Sequence, residues 1–125
     1  MYTEIKTFED ACNILKLDAA TVIPTFEFYP EADRQAMIDH SKLVIIAKAI
    51  NGDWKPDWSD YAQYKYYPWF DMRSSAPGGF AFDGYDRWST ASTVGSRLCF
   101  ESREKAEYAG TQFVDLYKSY FVIQE

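Results

Sequence analysis

Three stretches of the chain repeat apolar residues at helical spacing, and a region between the second and third alternates. Phe8, Ala11, Cys12 and Leu15 share one helical face, with Thr7 placed to cap and Asp10 at the third helical position. This predicts a short helix over 8–16. From Asp18 to Tyr29 no helical period holds. Pro24 and Pro30 break the run, and Thr25–Tyr29 alternates like a short strand or extended segment. Pro30 then suits the first position of a long helix, since its missing N–H costs nothing there, and Glu31 and Asp33 match the positive helix end. Ala36, Met37, His40, Leu43, Val44, Ala47 and Ile50 form its apolar stripe, and Asn51-Gly52 is the expected stop.

After a loop through DWKPDWSDY, strand character starts near Tyr66. Pro68 confines YYPWFDMR to an edge strand or a strand start. SSAPGG at 74–79 reads as a hairpin connection and FAFDGYDRW as the return strand, with Gly84 as a bulge. A third strand is expected over 96–100, with Val94, Leu98 and Phe100 pointing one way and Arg97 and Cys99 the other. Ser102 caps a final helix whose apolar face is Ala106, Ala109, Phe113, Leu116, Tyr117 and Tyr120, and Gly110 within it suits close packing. The predicted class is α+β: two N-terminal helices, a three-stranded antiparallel meander and a C-terminal helix, in a single domain over 1–125.

Composition sharpens this picture at one place. The stretch from Trp54 to Trp88 holds all four tryptophans, together with Tyr61, Tyr64, Tyr66, Tyr67 and Tyr85. Such crowding is either packing material or the lining of a site, because Tyr and Trp join a large apolar body to a polar tip. At least half of the tryptophans are expected to be buried. The net charge is −6, and it is uneven: residues 1–60 carry six basic against eleven acidic side chains. An acidic chain lacks the basic face that duplex nucleic acid requires. The two cysteines, Cys12 and Cys99, read as buried thiols of a reducing compartment. The opening MYTEIKTFED has no apolar core of a signal peptide, and LVIIAKAI is too short to span a bilayer, so a soluble, cytoplasmic protein is expected.

NGDWKPDW at 51–58, YKYYPWFDM at 64–72 and GSRLCFESREKAEYAG at 95–110, followed by QFVDLYKSYF, resemble a group of small uncharacterised proteins of Bacteroidetes bacteria and their phages. FEDACNILKL at 8–17 looks similar too, whereas 74–94 matches no pattern. The resemblance implies a phage or mobile-element setting inside a cell. It carries no assigned activity.

Candidate chemistry is sparse. The sole histidine, His40, lies within the long helix's stripe, where a buried or boundary histidine with one satisfied nitrogen is the plain expectation. A Cys99–His40 dyad is conceivable, but no motif supports it. Asp53, Asp57 and Asp60 do not have calcium-loop spacing and suit turn chemistry. Arg73, Arg87, Arg97 and Arg103 are the most suggestive polar set, because they share their region with the aromatics. Guanidinium forks beside Tyr and Trp suit phosphate and base stacking, although salt bridges to Asp71, Asp83, Asp86 and Glu101 would account for them equally well. The expectation is a non-enzymatic binding or interaction protein with no cofactor and no metal. Its partner would be an unknown protein or, as the alternative, a small nucleotide or phosphate ligand. Neither duplex nucleic acid nor membrane is expected, and a homo-oligomer is compatible with this reading. The expected surface site is Trp54, Trp58, Tyr67, Trp69, Arg87, Trp88 and Arg97.

Overall fold

The computed structural model describes residues 1–73 and 79–123. A 3-10 turn at Tyr2–Glu4 leads into α1, Phe8–Leu15. Thr7 and Asp10 cap α1 reciprocally: Asp10 N–H donates to Thr7 Oγ1 at 3.1 Å, and Thr7 N–H donates to the Asp10 carboxylate at 3.1 Å. Lys16 ends the helix in the left-handed region. After the 3-10 turn Glu31–Asp33, α2 runs over Arg34–Asn51 and stops at Gly52, whose φ of 62° suits glycine. Pro30 thus precedes a 3-10 turn rather than opening the α-helix itself.

The expected strand character of 25–29 is absent. Phe26 has φ 54°, Tyr29 N–H turns back onto Phe26 O at 2.9 Å, and Arg34 takes the carbonyls of Tyr29 and Glu27 at 3.0 and 2.8 Å. A backbone tied off in this way offers no strand ladder.

Among the described residues the sheet has two antiparallel strands, β1 (Lys65–Asp71) and β2 (Ala81–Trp88). Their register slips between Pro68 and Phe70, where Asp83 and Gly84 oppose Trp69, and Gly84 has φ 101°. The bulge therefore sits at the glycine the sequence marks. The expected connection at 74–79 falls on residues outside the description except Gly79.

The third strand is not formed. Phe100 makes a single two-bond bridge to Tyr66, and the neighbouring backbone groups go elsewhere. Asn51, at the end of α2, donates from Nδ2 to Cys99 O at 2.9 Å and accepts Glu101 N–H on Oδ1 at 3.1 Å. Leu98, Cys99 and Phe100 are consecutively buried, which matches the buried thiol expected of Cys99, and burial does not alternate along these residues.

The predicted last helix is two, α3 (Arg103–Gln112) and α4 (Val114–Phe121). Ser102 caps α3 through Lys105 N–H at 3.2 Å. The break falls at Phe113, just after Thr111 Oγ1 has bonded the carbonyls of Glu107 and Tyr108. It turns Tyr117 and Phe121 onto Phe70, with ring centroids 4.8 and 5.4 Å away.

Helix α2 is central, packed by α1 and α4, while α3 supports the hairpin. The core joins Phe8, Ala11 and Cys12 of α1 to Leu43, Ile46, Ala47 and Ile50 of α2, with Phe100, Ala106 and Tyr117 beyond. The hairpin lies so close to α3 that a Cβ on Gly110 would stand 2.7 Å from Phe82 Cδ1 and from Pro68 Cβ. Tyr108 Oη, donating to Ile5 O at 2.7 Å, ties the N-terminal segment to α3.

Candidate functional site

The seven residues expected to form one surface site fall into two places. Tyr67, Trp69 and Trp88 meet on the outer face of the hairpin. Tyr67 is buried, 6% exposed, with Trp88 at 4.6 Å between ring centroids. Burial pushes the Tyr67 phenol up, and Trp69, Asp86 and Trp88 surround its hydroxyl. It is a packing residue, which corrects its assignment to a surface site. Arg87 lies nearby, its guanidinium 4.1 Å above the Tyr64 ring, over a shallow hollow lined also by Trp88 and Thr90. The expectation that half of the tryptophans are buried is overturned. Trp54, Trp58 and Trp88 are half-buried, and Trp69 is 48% exposed. An indole is large enough to be well covered without being fully buried.

Trp54 and Arg97 belong to the second place, a cleft of about 640 Å³ between α1, α2 and the segments that follow them. Leu15, Leu17, Val22, Val44 and Ile45 supply its apolar walls. Lys48, Lys55 and Arg97 stand on it with Trp54, and no carboxylate among the described residues lines it. Arg97 is exposed and, like Lys48 and Lys55, forms no ion pair among the described residues. Lys48 also suits the last turn of α2, where a cation meets the negative helix end. Trp58 adjoins this place through its indole N–H, which donates to Ser96 Oγ at 2.8 Å, and Ser96 is itself a lining residue. The cleft can thus desolvate an apolar or flat body while offering cations to an attached anionic group.

The other basic residues near the aromatics are already engaged. Arg73 pairs with Asp71 at 2.7 Å and holds its carboxyl down at about 2. Arg103 pairs with Glu107 at 2.9 Å and lies over the Tyr85 ring.

Lys65 is a residue that sequence reasoning missed. It is 1% exposed, and its ammonium donates to the carbonyls of Asp57, Ser89 and Asp60 at 2.5, 2.6 and 3.2 Å. The Trp58 ring lies 5.2 Å away. All three ammonium protons are used, so Lys65 is a knot joining the 57–60 loop to the end of β2. A lysine in the run YKYY was the only available signal. Lys48 and Lys55 were missed as well, because nothing local shows that they face the same space as Arg97.

The remaining candidates are placed apart. His40 packs against Tyr120, with ring centroids 4.3 Å apart, and burial lowers its pKa. Cys99 donates from Sγ to Ser96 O at 3.5 Å, and burial pushes its thiol up to about 11, so it is not a thiolate at neutral pH. No contact joins the two among the described residues. Asp57 and Asp60 accept Ser59 N–H and Ala62 N–H, which is turn chemistry. No three His, Cys, Asp or Glu side chains converge as metal ligands among the described residues. No helix there is long and apolar enough to cross a membrane.

No protein-family model, curated protein or solved structure matches the chain.

Proposed function

We propose that this chain is a non-enzymatic binding protein whose cleft holds an organic anion with an apolar or aromatic body, a nucleotide being the leading class. The supporting observation is the lining of the cleft: Lys48, Lys55 and Arg97 beside Trp54 over aliphatic walls, with no carboxylate, in a chain of net charge −6. A phosphate or carboxylate would meet Arg97 and the lysines, and a flat base would lie against Trp54. The phage or mobile-element setting belongs to this proposal on the sequence resemblance alone.

The test is thermal unfolding against a panel of nucleotides and of aromatic and aliphatic carboxylates. A ligand at a hundred times its Kd adds about 2.7 kcal/mol to the stability of the protein that binds it. At least one anion is expected to raise Tm in the parent chain and not in Arg97→Ala. No shift with any member of the panel would refute the reading.

A further inference from the structure

Among the described residues, Phe28 in the loop at 25–29 is the most exposed large apolar side chain. Phe28 is 97% exposed and Tyr29 41%. The shape of the loop is nevertheless fixed. Arg34 holds the carbonyls of Glu27 and Tyr29 at 2.8 and 3.0 Å, and the Phe26 ring meets Tyr29 edge-on at 6.0 Å. Phe26 itself sits at φ 54°, a conformation that is strained for a bulky side chain and that accumulates at functional positions. The loop therefore presents the Phe28 side chain to solvent from a backbone of set shape, which lowers the backbone entropy lost when the ring is captured.

Its charge is as one-sided as that of the cleft. Residues 24–33 contain Glu27, Glu31 and Asp33 and no lysine or arginine, and the next residue, Arg34, spends its guanidinium on backbone carbonyls. One patch is thus a phenyl ring among carboxylates. The other is an apolar cleft of about 640 Å³ carrying three cations and no carboxylate.

We infer that the cleft of one copy takes the 26–31 loop of a second copy, Phe28 entering between the aliphatic walls while Glu27 and Glu31 meet Lys48, Lys55 and Arg97. This rests on the proposed reading of the cleft as a site for an apolar anion, and the loop is such an anion carried by the chain itself. Because donor and acceptor are different patches, the contact pairs two copies reciprocally or runs head to tail into a ring or filament. A small anionic ligand and the loop compete for one space, so the ligand disassembles the oligomer.

Sedimentation velocity of the full chain over a concentration series tests this. The parent is expected to rise above the 14.5 kDa of one chain as concentration increases. Phe28→Ser, which keeps the cleft, and Arg97→Glu, which keeps the loop, each stay at one chain. Their equimolar mixture can form one loop-in-cleft contact, because one supplies the cleft and the other the loop, so it pairs at high concentration and grows no further than two chains. A parent that stays monomeric throughout, a Phe28→Ser protein that assembles like the parent, or a mixture that assembles beyond two chains would overturn the inference. Thermal shift of Phe28→Ser with the anion panel separates this failure from that of the cleft reading. A shift there with a monomeric parent leaves the cleft as a ligand site and removes only the loop as its occupant.

Discussion

The hairpin and the cleft are built from the same kinds of residue, aromatics with Arg and Lys, yet they use them in opposite ways. On the hairpin side each cation is spent within the molecule. Arg87 covers Tyr64, Arg103 is shared between Glu107 and Tyr85, Arg73 is held by Asp71, and Lys65 is consumed by three carbonyls. The rings there stack on one another, with Phe70 touching Phe80, Tyr117 and Phe121. In the cleft, Lys48, Lys55 and Arg97 have no ion pair among the described residues, and Trp54 faces an open volume. A basic or aromatic side chain points to a ligand only after its internal partners have been counted. By that measure our proposal puts the binding region in the cleft and leaves the hairpin as scaffold.

The strongest way to break the comparison is Lys65→Met. Three carbonyls lose their donor, and the 57–60 loop loses its tie to β2. We expect a loss of about 2–4 kcal/mol in denaturant unfolding. A change under about 0.5 kcal/mol would mean that water replaces the ammonium freely and the knot is not structural. Gly110→Ala comes next. The added methyl meets Phe82 and Pro68 at 2.7 Å, so overpacking of about 1–3 kcal/mol opposes the gain of about 1 kcal/mol in helix propensity. Net stabilisation would show that the hairpin is not pressed against α3.

Arg97→Ala sharpens the comparison from the other side. An exposed cation with no ion pair should leave stability within about 0.5 kcal/mol while ligand binding is lost, the reverse of Lys65→Met. The smallest effect concerns His40. Burial against Tyr120 lowers its pKa, so the unfolded chain takes up the proton more readily than the folded one. The stability held at neutral pH is therefore lost as pH falls from about 6.5, the unfolded value, toward the lower folded value. His40→Gln should flatten Tm against pH in that window. An unchanged slope would place its origin elsewhere.

What could be read from the sequence divides along physical lines. The α1 cap, the Gly52 stop, the Gly84 bulge and the close packing at Gly110 are set by a few neighbouring residues or by the one residue type that tolerates the geometry. The failed readings were decided at a distance. Over 96–100 a strand ladder competes with Asn51, which takes the Cys99 carbonyl from 48 positions away. The 25–29 loop owes its shape to Arg34. Thr111 and Phe113 divide the last helix so that α4 reaches Phe70. The cleft we propose as the binding region was half legible: Trp54 and Arg97 carry the right chemistry, but Leu15, Val44, Lys48 and Lys55 join them only through the packing of α1 on α2.

The four indoles allow the central claim to be tested in one experiment, because they stand in different places. Trp54 lines the cleft, Trp58 is bonded to Ser96 at its edge, Trp69 is on the open hairpin face and Trp88 lies on Tyr67. Their Nε1–H resonances can be followed by NMR while the anion that raises Tm is titrated in. The account predicts that Trp54 moves most and Trp58 follows, with Trp69 and Trp88 unchanged. Movement led by Trp88 together with the Arg87 side chain would contradict it and transfer the site to the hairpin.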